Sequence, residues 1–242
     1  MSETAYLVAD AHLGRGREPD RDAFVTFVST VPQPGDHLVL LGDIFDFWIE
    51  YRSVIPRYAF PVLCALRETV ARGTRLIVVG GNHDRWGSTF WRRELGGEFY
   101  PGKAEVELCG RRAYLSHGDG VSDPHAGARI LQTALRRDWA ANLFRLLPPD
   151  LGFSLVHRFS QAVAKRTRDP SLLDRAAAAQ ANFARRLLEE RPEVDLVVMA
   201  HTHRPILEEP ASGRWYVNPG AWIDGRNYAV LAGGAPQLRR FA

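Results

Sequence analysis

Five short motifs combine carboxylate, amide and imidazole side chains, which are residue types that bind divalent metal ions. In chain order they are Asp10-Ala11-His12, Gly42-Asp43-Ile44-Phe45-Asp46, Gly81-Asn82-His83-Asp84, His117-Gly118-Asp119 and Ala200-His201-Thr202-His203, and they hold five of the eight His residues. None of them contains Cys. Oxygen and imidazole ligands without thiolate suit Mn²⁺, Fe or Zn²⁺ in a hydrolytic site rather than a structural zinc.

Each motif follows a segment that the pattern of apolar residues predicts to be a β-strand. A single Asp-X-His or His-X-His is more often a loop with capping residues than a ligand pair. Five such motifs at strand ends are a stronger signal, because ligands of α/β sheets bind at the carboxyl ends of the strands. We therefore expect the motifs to meet at one metal site.

Two divalent ions, roughly 3.5 to 4 Å apart, would explain why so many ligands are needed. Such a pair can neutralise a phosphate, lower the pKa of a bridging water and align the attacking and leaving oxygens. One carboxylate must then contact both ions. Asp43 follows the central predicted strand and is the best candidate for this bridge.

The elements between the motifs predict an α/β protein with one domain over residues 1–242. Apolar residues at helical spacing, such as Phe24, Phe27 and Val28, alternate with short β-branched runs. After Gly120 the strand pattern stops for about seventy residues, which predicts a helical cap inserted at about 121–190. The third helix of this cap is expected to begin at Asp169-Pro170 and to share an apolar face of Ala176, Ala179, Phe183 and Leu187.

The net charge of +3 is distributed unevenly along the chain. Residues 121–190 carry eleven Lys or Arg against seven Asp or Glu, so the cap is +4 and the remainder −1. This excess could attract an anionic substrate or membrane surface, but it carries no nucleic-acid-binding motif, and we expect no nucleic-acid partner. Neither a leader sequence nor a membrane-spanning apolar run is found, which predicts a cytoplasmic protein with possible peripheral contact at the inner membrane surface.

The ordered motifs resemble those of the calcineurin-like metallophosphoesterase superfamily over the whole chain. The resemblance implies two mixed β-sheets packed face to face with helices outside, and a phosphoesterase with two divalent ions, Mn²⁺ first and Fe or Zn²⁺ as alternatives. It also implies that one ion binds Asp10, His12, Asp43 and His203, and the other Asp43, Asn82, His117 and His201. His83 would contact the phosphate and protonate the leaving group, with Asp84 orienting His83.

Three features resemble the UDP-2,3-diacylglucosamine hydrolases of lipid A synthesis, which release UMP and a lipid monophosphate. They are Gly42-Asp43-Ile44-Phe45-Asp46-Phe47-Trp48, Gly81-Asn82-His83-Asp84-Arg85-Trp86 and the helical insertion after the fourth motif. The best-known branch of those enzymes has Arg where this chain has His83, and usually Gly where it has Ala200. Substrate contacts are expected from Trp48, Arg52, Arg85, Arg136, Arg158 and Lys165.

Two other hypotheses remain at this point. The same metal chemistry could serve a cyclic nucleotide, a nucleotide polyphosphate or a phosphoprotein, which a compact and polar cap would favour. Alternatively, the chain could be a non-catalytic scaffold that binds partner proteins. The complete set of ligand types, together with His83, argues against the scaffold.

Overall fold

Two mixed β-sheets form the centre of the computed structural model, which describes residues 3–14, 16–84, 86–87, 89–122, 138–156 and 170–242. The strands are β1 (Ala5–Val8), β2 (His37–Leu40), β3 (Arg75–Val79), β4 (Glu98–Tyr100), β5 (Lys103–Leu108), β6 (Arg111–Ser116), β7 (Leu196–Met199), β8 (Ile206–Ala211), β9 (Arg214–Asn218), β10 (Asn227–Leu231) and β11 (Gln237–Arg240). The helices are α1 (Glu18–Thr30), α2 (Phe60–Ala71), α3 (Phe90–Arg93), α4 (Asp119–Ser122), α5 (Asp138–Phe144), α6 (149–156) and α7 (Pro170–Glu190), with 3₁₀ turns at Arg57–Ala59 and Trp222–Asp224.

Both sheets combine parallel and antiparallel strands. The first has the order β11-β10-β1-β2-β3-β4, in which β1 to β4 run parallel and β10 and β11 antiparallel to their neighbours. The second has the order β5-β6-β7-β9-β8, with β6, β7 and β9 parallel. The two mixed sheets with flanking helices confirm the predicted fold class.

Alternate residues of the central strands face two different apolar layers. In and after β2, Leu38 and Leu40 pack with helices α1 and α2, whereas Val39 and Leu41 pack against the second sheet. All four are fully buried. This alternation follows from the two-residue period of a strand, and it gives the layer order helix, sheet, sheet, helix.

Helix α7 covers the outer face of the second sheet. Its buried residues include Ala181, Ala184 and Leu188, which pack with Val197 and Tyr216 of β7 and β9. The buried face is therefore displaced by about one residue from the predicted face of Ala176, Ala179, Phe183 and Leu187, of which Leu187 is buried and the other three are half-buried. The second half of α7 thus packs on the sandwich, although it lies within residues 121–190, the range predicted for the cap.

The parallel strands bring their carboxyl ends to one edge of the sandwich. Beyond β1 and β2, the chain continues the strand pairing, since the N–H groups of Asp10 and His12 donate to the carbonyls of Gly42 and Asp43 at 3.1 and 2.9 Å. The loops that carry the first two motifs are thus held together by backbone hydrogen bonds. Among the described helices, none is both long and apolar enough to cross a membrane.

Candidate metal centre

Five of the seven predicted metal ligands have left-handed backbone conformations. The φ angles are 50° for Asp10, 45° for His12, 52° for Asp43, 71° for His201 and 56° for His203. Only two other non-Gly residues in the described part of the chain, Cys109 and Arg226, share this conformation. It is uncommon outside Gly and is found at functional sites where the surroundings enforce it. The conformation turns the chain abruptly just beyond a strand.

Two glycines allow the loops of the site to approach one another closely. Gly42 has a φ of 85°, and a Cβ atom there would lie 2.6 Å from the amide nitrogen of Gly81 and 2.7 Å from Nδ1 of His117. A Cβ atom on Gly81 would collide with the carboxylate of Asp43. No side chain fits at either position, so the second, third and fourth motifs depend on these glycines to share one site.

Asp10, His12 and His203 form the first group of converging ligand atoms. Oδ2 of Asp10 accepts a hydrogen bond from the N–H of His201 at 3.0 Å, but Oδ1 is buried without a hydrogen-bond partner among the described residues. Nε2 of His203 lies 3.6 Å from Oδ1, and Nε2 of His12 lies 4.0 Å from it. These distances are too long for hydrogen bonds. A cation between these atoms would satisfy the buried oxygen.

Asp43, His117 and His201 form the second group, which Asn82 joins. Nε2 of His117 lies 3.2 Å from Oδ1 of Asn82, 3.2 Å from Nδ1 of His201 and 3.4 Å from Oδ2 of Asp43. Ligands bound 2.0 to 2.2 Å from one ion lie roughly 3 to 3.5 Å apart. Nδ1 of His117 donates to the carbonyl of Leu41 at 2.8 Å, so Nε2 is the nitrogen left to bind.

The electrostatics of the cleft also suit metal binding. Burial, together with neighbouring imidazoles, lowers the pKa of His12 to about 3 and that of His201 to about 4, which keeps both rings neutral as metal ligation requires. Burial opposes the charge of His117, but the carboxylates of Asp43 and Asp10 raise its pKa well above the ordinary value. Those carboxylates thus attract positive charge even without an ion.

His83 is oriented by a backbone carbonyl and not by Asp84, which corrects the predicted pairing. Nδ1 of His83 lies 2.6 Å from the carbonyl oxygen of Asp46. Asp84 instead accepts hydrogen bonds from the N–H groups of Gly81 and Ile44 at 2.7 and 2.9 Å, and so ties the second motif to the third. Burial and the nearby Asp43 raise the pKa of Asp84 to about 6.

The residues predicted to contact substrate lie in different environments. Trp48 is only 1% exposed and packs in the core against Phe45 and Trp91, which argues against a substrate contact. Its neighbour Phe47 faces the cap instead and contacts Phe144 of α5 and Phe153 of α6. Arg52 is exposed in the loop that follows. The remaining predicted residues, Arg85, Arg136, Arg158 and Lys165, lie outside the described residues.

Gln180 of α7 is a supporting residue that the sequence did not indicate. Its side chain is fully buried, and Nε2 donates to the carbonyls of Gly118 and Ala200 at 3.3 and 3.0 Å. Each carbonyl belongs to a residue next to a predicted ligand, His117 or His201. A polar residue within an apolar helix face was the available signal, but only the packing reveals its partners.

We expect Gln180→Leu to lower the free energy of unfolding by about 1 to 3 kcal/mol, because the two buried hydrogen bonds from Nε2 to the carbonyls of Gly118 and Ala200 would be lost. Urea denaturation monitored by circular dichroism would measure the change. As a control on the same helix, Arg185→Ala removes an exposed ion pair with Glu208 and should cost less than about 1 kcal/mol. Equal losses for the two variants would contradict the supporting role of Gln180.

Comparison with known proteins agrees with this geometry. The fold and the site define a metal-dependent hydrolase. A family model described as calcineurin-like phosphoesterase matches residues 4–205, and the chain belongs to this family. A protein of Ralstonia nicotianae named UDP-2,3-diacylglucosamine hydrolase is 26% identical over 225 residues, covering 90% of this chain and 84% of the relative. A protein of the same name from Porphyromonas gingivalis is 25% identical and covers 96% of this chain and 95% of the relative.

Among solved structures, Vps29 (vacuolar protein sorting 29) of Cryptosporidium parvum aligns with a TM-score of 0.46 and 15% sequence identity. The alignment covers 98% of this chain and 89% of that structure.

Proposed function

We propose that this chain hydrolyses the diphosphate of UDP-2,3-diacylglucosamine, using two divalent ions, to give UMP and 2,3-diacylglucosamine 1-phosphate. The main support for metal chemistry is that the predicted ligands converge around Oδ1 of Asp10, which has no hydrogen-bond partner among the described residues. The substrate is inferred from the relatives of that name, which match over most of their length.

The ligands divide into two sets that share one carboxylate. Asp10, His12, Asp43 and His203 would hold one ion, and Asp43, Asn82, His117 and His201 the other. Oδ1 of Asp43 accepts a hydrogen bond from the N–H of His83 at 2.9 Å, and Oδ2 lies 4.0 Å from Nε2 of His12 and 3.4 Å from that of His117. Oδ2 therefore lies between the two sets. The ions, for which Mn²⁺ is our first choice over Fe or Zn²⁺, would neutralise the diphosphate and acidify a water.

His83 would assist the departure of the leaving phosphate. A carbonyl oxygen can only accept a hydrogen bond, so the contact with Asp46 places the hydrogen on Nδ1. Nε2 then faces the cleft, 3.9 Å from Oδ2 of Asp43, and the side chain is 22% exposed. When protonated, Nε2 could donate to a phosphate oxygen, which is the role of a general acid.

The two described cap helices support an amphipathic substrate. Phe144 and Phe153 fasten α5 and α6 to Phe47, directly after the second motif, and Nε of Arg145 donates to the carbonyl of Glu50 at 2.8 Å. These helices and the turn between them expose large apolar side chains that are 50 to 79% accessible, namely Trp139, Leu143, Leu146, Leu151 and Leu155. We propose that this surface meets acyl chains or the membrane that contains them, since exposed apolar patches mark such sites.

The experiment is an assay of UMP release from UDP-2,3-diacylglucosamine in detergent micelles, with purified protein loaded with Mn²⁺, Fe or Zn²⁺. We expect UMP release that EDTA abolishes and metal restores. UDP-N-acetylglucosamine has the same diphosphate but an acetyl group and a hydroxyl in place of the two long acyl chains, and it should react at least about tenfold more slowly if acyl burial contributes 1.4 kcal/mol or more.

The comparison substrates separate the metal chemistry from the substrate assignment. Cyclic AMP and bis(p-nitrophenyl) phosphate would be assayed with the same metal-loaded protein. Hydrolysis of either without UMP release from the diacyl substrate would retain the phosphoesterase and reject the lipid precursor. No hydrolysis of any substrate by protein that contains both ions would favour the scaffold hypothesis.

A further inference from the structure

Asp224 contacts the imidazole of His203 on the side opposite the metal cleft. Its Oδ2 lies 2.7 Å from Nδ1 of His203, while Nε2 of the same ring is directed at Oδ1 of Asp10 from 3.6 Å. An ionised carboxylate can only accept a hydrogen bond. The contact therefore places the hydrogen on Nδ1 and leaves the lone pair of Nε2 facing the buried oxygen.

The backbone around Asp224 is fastened to the strand end that carries Asp10. Asp224 ends the 3₁₀ turn Trp222–Asp224, in which the N–H of Ile223 donates to the carbonyl of Asp10 at 3.1 Å. The N–H of Trp222 donates to the carbonyl of Ala9 at 2.9 Å, and its side chain is fully buried. Asp10, Asp224 and His203 are thus held in one arrangement, although they are far apart in the sequence.

The contribution of Asp224 is one of orientation more than of charge. Its side chain is 56% exposed and that of His203 is 25% exposed, so solvent screens their electrostatic interaction. Orientation still matters, because a carboxylate that receives the second ring hydrogen fixes both the tautomer and the direction of a metal-binding imidazole. His117 and His83 are oriented instead by the carbonyls of Leu41 and Asp46, which substitution cannot remove.

We propose that Asp224 is a positioning residue that holds His203 in the tautomer and direction needed to bind one of the two ions. This inference rests on the dimetal function proposed above. It assigns a role to a residue outside the five motifs. It also predicts that the affinity for one ion depends on Asp224 much more than the affinity for the other does.

The test compares Mn²⁺ binding to wild-type protein, Asp224→Ala and Asp224→Asn by isothermal titration calorimetry, with bound metal counted by mass spectrometry. We expect two ions in the wild type. Asp224→Ala should lower the affinity for one ion by roughly 10- to 100-fold and leave the affinity for the other ion unchanged. Asp224→Asn should retain most of the affinity, because an amide oxygen still accepts a hydrogen bond from Nδ1.

Asp174→Ala is the matched control, since it removes an exposed carboxylate that pairs with Arg204, the neighbour of His203, at 2.8 Å. It should bind both ions normally. Two ions of wild-type affinity in Asp224→Ala would overturn the proposal, and so would equal weakening of both ions with a lowered Tm, which would make Asp224 a general structural residue. Wild-type protein that binds none of Mn²⁺, Fe²⁺ and Zn²⁺ would overturn the dimetal function itself and this inference with it.

Discussion

Asp43→Asn is expected to lose at least one of the two ions and to lower kcat/KM by at least about a thousand-fold, or roughly 4 kcal/mol. The wild-type Asp43 is 2% exposed, and its Oδ2 faces both ligand sets. Asn preserves its shape and tolerates the left-handed φ of 52°. The substitution therefore removes the negative charge without introducing backbone strain. Bound metal and hydrolysis of bis(p-nitrophenyl) phosphate would be measured on the same preparation.

Asp36→Asn is a suitable control for this experiment. Asp36 is also buried and precedes β2, whereas Asp43 follows it, so the two carboxylates lie at opposite ends of one strand. Asp36 accepts hydrogen bonds from the N–H groups of Thr4 and Gln33 at 3.0 and 2.9 Å. Its replacement should cost stability and leave metal content and kcat/KM unchanged. An Asp43→Asn protein with two ions and normal activity would contradict the bridging role.

His83→Ala is expected to lower kcat by roughly 10²- to 10⁴-fold, which is the usual contribution of a general acid, while leaving both ions bound. Metal content must be measured together with kcat, because the geometry also permits another role for His83. Nε2 of His83 lies close enough to His12 and Asp43 for the three to hold an ion. Steady-state kinetics combined with metal analysis distinguishes the two roles, and loss of an ion in His83→Ala would make His83 a ligand.

Two further variants refine the His83 experiment. His83→Arg keeps a cationic donor in the cleft but cannot release its proton, so activity well above that of His83→Ala would indicate phosphate contact rather than proton transfer. His37→Asn replaces a buried His at the other end of β2 and should retain full activity. Equal losses in His37→Asn and His83→Ala would indicate a general effect of core substitution.

The elements with a buried face were predictable from the sequence, and the exposed edges were not. Strands β1, β2 and β3 read as continuous apolar runs because both of their faces are covered. Strand β11 is exposed along its whole length, and β8 has one partner strand and includes Pro210, so neither has an apolar pattern to recognise. Strand β5 alternates exposed and buried residues, and this two-residue pattern could have revealed it.

At the site, the sequence predicted the ligands themselves but not the residues that contact them. Residue types at strand ends sufficed to predict which side chains would converge, because parallel strands bring their carboxyl ends together. Their partners could not be predicted in this way. Asp84, Gln180 and Asp224 contact groups that are distant in sequence, and the choice of Phe47 over Trp48 at the cap depends on which way the chain turns after Asp46.

Anomalous diffraction from crystals grown with Mn²⁺ would show directly how many ions the protein binds and which residues hold them. We predict two peaks roughly 3.5 to 4 Å apart, with the carboxylate of Asp43 contacting both. One peak should be bound by Asp10, His12 and His203, and the other by Asn82, His117 and His201. A single peak, or two peaks that do not share Asp43, would contradict the proposed site of two ions bridged by Asp43.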